Sequence, residues 1–258
     1  MRRAGCLLRR PARAILLTLS TWLAGSIPAF SADTTTHARF VEPTNRYGHA
    51  VLGDDVEYGA LEVTVENSAP SGLPDAVVKR SVITIRLPQD RVFEDLEPRL
   101  VDVDQDGTAE VVVVETQAQT GAQLAVYNAR GRKIAATPHI GTPNRWLAPI
   151  GATDLDGDGF VELAYIDRPH LAKTLRIWRY RNRKLEPVAE KPGLTNHQIG
   201  WDHIPGGIRD CGHGPEIIVA SADWLRMTSA RLVDGQIETQ DLGPLQAATD
   251  LNHALTCP

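Results

Sequence analysis

Nine residues, Asp102-Val103-Asp104-Gln105-Asp106-Gly107-Thr108-Ala109-Glu110, return further along the chain as Asp154-Leu155-Asp156-Gly157-Asp158-Gly159-Phe160-Val161-Glu162. The acids at positions one, three, five and nine and the glycine at position six are kept. Glycine at six lets the backbone reverse with no Cβ in the way. The carboxylates at one, three and five then turn inward, and the acid at nine closes the cage. Hard oxygen donors at this density select Ca²⁺, with the carbonyls of Thr108 and Phe160 expected to contribute at position seven. A chain that repeats one acid-rich turn, with similar strands behind it, is expected to be assembled from copies of one small unit.

The same order of short elements follows each loop. Behind the first come β-branched residues at 111–114, then alternating segments at 122–127 and 133–137 separated by Ala129-Arg130-Gly131. Behind the second come 160–166, 174–180 and 185–189, with a turn at Arg181-Asn182. Period-two alternation broken by polar turns predicts antiparallel strands, in a repeat of about fifty residues. A worn third copy places Glu216 ahead of Ile217-Ile218-Val219, with Arg209-Asp210-Cys211-Gly212-His213-Gly214-Pro215 where the carboxylate loop would stand. Fainter traces lie at Gly53-Asp54-Asp55 and Ala248-Thr249-Asp250-Leu251-Asn252. Upstream, strands are predicted at 38–41, 60–65 and 82–87, with a surface loop at 67–75. Helices are hard to place. The fold expected is all-β, a β-propeller of about five short blades, with four as the alternative. An open fifth blade would leave strand edges exposed, so residues 38–41 are expected to pair beside 245–251 and close the ring.

At these two loops the chain resembles the FG-GAP/VCBS repeat proteins, whose blades carry an Asp-x-Asp-x-Asp-Gly-x-x-Asp/Glu loop between the first two strands, as in integrin α-chain propellers. The resemblance runs from roughly residue 46 to residue 251 and departs from the pattern at 209–216. It implies calcium held by Asp102, Asp104, Asp106, Thr108 and Glu110, and again by Asp154, Asp156, Asp158, Phe160 and Glu162. The ion's role in such loops is structural: it converts the mutual repulsion of three aspartates into a fixed link between strands, so metal binding and folding are coupled. An EF-hand would need a bidentate Glu at position twelve and flanking helices. Val113 and Tyr165 stand there instead.

The full chain has 258 residues and a formal net charge of −5. Residues 1–32 read as an export signal, with an arginine-rich start free of acids, an apolar run at 14–29 and small residues up to Ala32. That run is short for a membrane span, and the mature chain is expected to have no transmembrane segment. One domain over 33–258 is expected, a monomer in the periplasm or outside the cell. Without its leader the chain is acidic, which argues against nucleic acid as a partner. In an oxidising compartment Cys211 and Cys257 are expected to form one disulfide.

Two sets of residues bear on function. Arg46, Tyr47, His49, Arg145, Trp146, Trp201 and His203 precede the first strand of their repeats; gathered at one end of a ring, aromatic planes and cations would suit a glycan, an anionic small molecule or a protein ligand. The same aromatics could equally fill space between blades. Asp202, His203, Asp210 and His213 in the worn repeat are the only group that would serve acid–base or metal chemistry, and their spacing matches no hydrolase, metalloprotease or phosphate-loop motif. A calcium-stabilised binding or scaffold module is therefore the leading expectation. An exported carbohydrate-active hydrolase or lyase is the alternative, and convergence of those four side chains is what separates the two.

Overall fold

The structure, a computed structural model, describes residues 33–67 and 79–257; the expected export signal at 1–32 and most of the expected surface loop at 67–75 lie outside the described residues. The first of three antiparallel sheets comprises β1 (Asp33–Thr44), β2 (Glu57–Asn67), β3 (Lys79–Arg86), β4 (Arg91–Phe93), β5 (Arg99–Val101), β6 (Glu110–Gln117), β7 (Gly121–Tyr127) and β8 (Lys133–Ala136). Its spatial order is β1-β2-β4-β6-β7-β8, with β3 against β2 and β5 against β6. The second contains β9 (Leu147–Thr153), β10 (Glu162–Asp167), β11 (Thr174–Arg181) and β12 (Lys184–Pro192) in sequence order. The third contains β13 (Leu194–Thr195), β14 (Gly207–Asp210), β15 (Pro215–Ser221), β16 (Arg226–Val233) and β17 (Gln236–Pro244), followed by the helix α1 (Thr249–Ala254).

Strands β5–β8, β9–β12 and β14–β17 are three copies of one four-stranded meander. In each, the acidic loop or its remnant joins the first strand to the second. The fold is all-β and of β-propeller type, with the loop set where the repeat pattern requires it.

Burial explains which residues take which strand. β7 is buried along its whole length and β6 along all but its last residue, which demands side chains that pack on both faces of a pleat; the valines at 111–114 meet that demand. The outer strands β12 and β17 are mostly exposed and carry Lys184, Glu186, Glu190, Glu238 and Asp241, charges that blunt a free edge against pairing with another chain. One core cluster runs through all three sheets, through Val114 and Leu124, Leu163 and Ile177, and Ile217 and Leu232. A second lies under β1–β3, where Phe93 stacks on Phe40 at 5.4 Å and packs with Leu61, Val113 and Tyr127.

The closing blade expected from the two ends does not form. β1 is taken up entirely by β2, with Ala38 opposite Val63 and Val41 opposite Ala60. The stretch after β17 turns instead of extending, because the Asp250 carboxylate accepts the backbone N–H groups of Gln246 and Ala247, and the chain then enters α1 with Leu251 fully buried. The sequence echo between 248–251 and 152–155 thus conceals opposite uses of one aspartate. Asp154 accepts N–H groups that follow it in the chain, and Asp250 accepts N–H groups that precede it.

The helix is fastened to the worn third loop. Cys211 and Cys257 are disulfide-bonded with Cα atoms 5.6 Å apart, Arg209 donates from Nη1 to the Ala254 carbonyl, and Gly206 N–H donates to Asn252 Oδ1 at 3.0 Å. Cross-linking residues separated by 46 positions restricts the unfolded chain by about 4 kcal/mol in the entropic account. Cys211→Ala, or reduction of the wild type, is expected to lower stability by about 2–4 kcal/mol in urea denaturation. Unchanged midpoints would show the tether to be idle.

One turn is locally costly. Asn182 and Arg183, between β11 and β12, both have positive φ (52° and 59°), as a two-residue hairpin turn requires, and arginine is a poor choice beside the glycine such turns favour. Arg183 faces the loop that begins at Asp102 and lines the same cleft.

Candidate metal centre and ligand face

The two acidic loops fold alike. In the first, Asp102 accepts the backbone N–H groups of Asp106 (3.0 Å) and Gly107 (2.9 Å), and Asp106 accepts that of Thr108. In the second, Asp154 accepts those of Gly157 (2.7 Å) and Gly159 (2.9 Å), and Asp158 accepts that of Phe160. The backbone takes left-handed conformations at Gln105 and Gly107 in one loop and at Gly157 and Gly159 in the other. The glutamate at position nine is buried in both, and one of its oxygens accepts the N–H of position two: Val103 to Glu110 at 3.2 Å, Leu155 to Glu162 at 2.8 Å. That bond orients the carboxylate and leaves its second oxygen facing the loop. Oxygens of Asp102, Asp104 and Glu110 lie within 4.8 Å of one another, as do those of Asp154, Asp156 and Glu162. These are the only such groups among the described residues.

The first loop has acid without matching cation. No described lysine or arginine pairs with Asp102, Asp104 or Glu110. Burial, followed by the repulsion of Asp104, Asp106 and Asp102, pushes the Glu110 carboxyl up to about 7 against the pull of the Val103 N–H. Burial and Asp106 likewise raise Asp104. Three hard oxygen donors set close together, one of them buried and unneutralised, fit a divalent cation of the calcium class. Asp102, Asp104, Asp106 and Glu110, with the Thr108 carbonyl, would hold it, and the ion would supply charge neutralisation and a link between β5 and β6. The loop opens on a cleft of about 620 Å³ lined also by Arg130, Arg132, Lys133, Tyr180 and Arg183.

The second loop differs in one respect that its own nine residues do not reveal. Arg179, directly opposite Glu162 in the β10–β11 register, places its guanidinium against Glu162, Asp156 and Asp158. Burial raises Glu162, and the Leu155 N–H and Arg179 oppose the rise. Phe160, 37% exposed, lies under the Arg179 and Arg181 guanidinium groups, with the latter 5.1 Å from the ring centroid.

The residues expected to form a ligand face are only partly brought together. His49, Arg145 and Trp146 line one cleft of about 220 Å³ with Asn144, Arg168, Pro169, His170, Leu171 and Ile199. Trp146 is a buried wall of it, donating from Nε1 to the Glu94 carbonyl at 2.8 Å and stacking on His170. Arg46 turns away and donates to the Arg91 carbonyl, and Tyr47 is buried with its hydroxyl accepting the Asn144 N–H. Trp201 and His203 stack on each other at 4.8 Å outside the cleft, Trp201 packing on Trp224. Tyr47 and Trp146 are thus both buried, while Trp201 is half-buried.

Sequence reasoning missed His170, His197, Arg168 and Glu94. His170 Nε2 lies 2.9 Å from His197 Nδ1, and His197 Nε2 lies 3.0 Å from the Trp201 carbonyl. Burial, with the neighbouring His197 and His49, lowers His170 to about 4, so His170 is neutral at neutral pH, and burial lowers His197 too. Arg168 is fixed by a two-pronged bond to Asp167. Behind the cleft, His49 Nδ1 meets Glu94 Oε1 at 2.5 Å and the Thr116 hydroxyl donates to Glu94 Oε2. The only hint in the sequence was the lead-in repeat that placed His49 and Trp146.

Asp202, His203, Asp210 and His213 do not converge. His203 bonds its neighbour Asp202 on an exposed turn, while Asp210 accepts the N–H groups of Gly212 and Gly214. The sequence signal that suggested chemistry there reflects turn geometry.

Residues 102–165 match the model of the FG-GAP-like repeat. Comparison with curated proteins finds no match. Among solved structures the chain is similar to the rhamnogalacturonan lyase YesW, at 13% identity and a TM-score of 0.40, over 73% of this chain and 44% of that one. It is also similar to the exotype rhamnogalacturonan lyase YesX, at 13% identity and a TM-score of 0.42, over 86% of this chain and 52% of that one. The chain thus matches about half the length of either enzyme.

Proposed function

From the premise that residues 102–165 carry an FG-GAP-like repeat, we propose that the protein is an exported, calcium-stabilised β-propeller module that binds an acidic glycan. The observation that carries the reading is the cleft beside the second repeat, where the cations Arg145 and Arg168 stand with the imidazoles of His49 and His170 beside the exposed apolar side chains of Leu171 and Ile199. Cationic groups answer carboxylates, and the apolar rim answers the C–H faces of sugar rings. Calcium would hold the first loop, none of whose residues lines this cleft, and with it β6, whose Thr116 bonds the Glu94 carboxylate behind His49. A disulfide between Cys211 and Cys257 supports an oxidising address, and no helix among the described residues is long and apolar enough to cross a membrane.

Isothermal titration with a short uronic-acid oligosaccharide and its neutral counterpart tests the reading. Binding of the acidic sugar alone is expected, weakened about tenfold by Arg145→Ala, the loss of one charge-assisted hydrogen bond. Absence of binding to both sugars, or an affinity untouched by Arg145→Ala and Arg168→Ala together, refutes it. In the same preparation, Ca²⁺ is expected to raise the thermal midpoint and chelator to lower it, since an ion that binds only the folded state stabilises by mass action.

A further inference from the structure

We infer that the second acidic loop takes no metal, because Arg179 is its permanent cation, and that the first loop alone binds calcium. The guanidinium meets three different carboxylates of the loop: Nε with Glu162 at 2.5 Å, Nη2 with Asp156 at 2.6 Å and Nη1 with Asp158 at 2.7 Å. Asp156 and Glu162 are two of the three residues whose oxygens are close enough to share an ion. Calcium needs six to eight oxygens at about 2.3–2.6 Å and would have to recruit the same atoms, while a fixed positive charge inside the cage would repel it.

The placement of Arg179 is built into the sheet. Glu162 and Arg179 are register partners on β10 and β11, so their side chains leave the same face of the sheet at the same level. The guanidinium is also covered on one side by Phe160, and the side chain is only 19% exposed.

The first repeat differs from the other two at this position. On the first, Val111 pairs with Tyr127, which puts Asn128 opposite Glu110, a neutral residue that leaves the loop's charge to be met from outside. On the third, Ile217 pairs with Ala230, which puts Arg231 opposite Glu216. There the loop keeps only Asp210 of its aspartates, Arg209 from β14 neutralises Glu216 at 2.7 Å, and Arg231 caps the His213 carbonyl. An arginine across from the position-nine glutamate goes with a loop closed by the protein itself, and an asparagine with a loop left for an ion. The nine-residue motif, identical in its acids between the first two loops, cannot distinguish them; the residue one strand away does.

The test is calcium titration of the full chain by calorimetry, with thermal unfolding of each variant with and without the ion. The wild type is expected to bind one ion, to lose it in Asp104→Asn and to keep it in Asp156→Asn. Arg179→Met, which retains the length of the side chain but not the charge, is expected to bind two ions. Without calcium it should unfold at a lower temperature than the wild type, and calcium should restore the difference. Two ions of similar affinity in the wild type, or loss of the single ion in Asp156→Asn with its retention in Asp104→Asn, overturns the inference. So does a folded Arg179→Met that binds no more calcium than the wild type. No ion in the wild type and one in Arg179→Met would refute calcium at the first loop, and with it the calcium part of the proposed function, while supporting the role of Arg179.

Discussion

Glu57→Gln is expected to stabilise the protein at pH 8 by about 4–5 kcal/mol and to leave it nearly unchanged at pH 4. Glu57 begins β2 and is 3% exposed. Burial, then the nearby carboxylates of Glu94, Asp54 and Asp95, push its carboxyl up to about 9. A carboxyl whose folded pKa lies above its unfolded value stays protonated in the native state while the unfolded chain releases the proton. Stability linked to it is therefore full below about pH 4.3 and declines as the pH rises towards 9, at about 1.4 kcal/mol per unit. Glutamine keeps the shape and cannot ionise, so that decline disappears. Urea denaturation of wild type and variant at both pH values reads the effect; equal midpoints at pH 8 would show that Glu57 is charged in the fold.

Glu115→Ala carries an expected effect of the opposite sign, a loss of about 3–5 kcal/mol. Its carboxylate is fully buried in the middle of β6, where it accepts hydrogen bonds from the Tyr127 hydroxyl at 2.7 Å and from Lys133 Nζ at 2.9 Å, and pairs with Arg91. Burial works to raise this carboxyl, and the hydrogen bonds from Lys133, Tyr127 and Arg91 overcome it and hold it below the usual range. Truncation leaves two half-buried cations without their counter-ion and a buried hydroxyl without an acceptor. Because the folded pKa is depressed, the stabilisation is present above about pH 4.3 and fades as the pH falls through the lower folded value, so wild type and variant should converge in acid. A thermal midpoint at neutral pH within about 2 °C of the wild type would mean that the network contributes nothing net.

The strands were legible because their signals are local. The valines at 111–114, the alternation at 174–180 and the turn near Asn182 each lie within one element. The loops were legible for the same reason, since their acids hydrogen-bond to N–H groups two to five residues away. What escaped was set by pairing across the sheets. Arg179 reaches Asp156 only because β11 folds back on β10 in a particular register, and no spacing within 154–162 encodes that. Likewise His170 and His197 meet Trp146 through loops of different repeats. The misread end of the chain shows the converse. Residues 248–251 look like the entry to a loop, and the hydrogen bonds of Asp250 that make them the entry to a helix run to residues outside the echo.

Arg183 bears on what counts as a module in this protein. It sits at the hairpin tip of the second repeat, in a backbone conformation better suited to glycine, and it lines the cleft beside the first repeat's acidic loop. Arg179, one strand beyond the last residue of the matched segment 102–165, fills the second. A fragment cut at the boundaries of the family match would hold every aspartate of both loops and neither of these arginines. The unit that recurs along the sequence is therefore not the unit that could be transplanted: each loop borrows part of its electrostatic surroundings from chain that comes after it, and the smallest self-sufficient cassette is longer than the repeat.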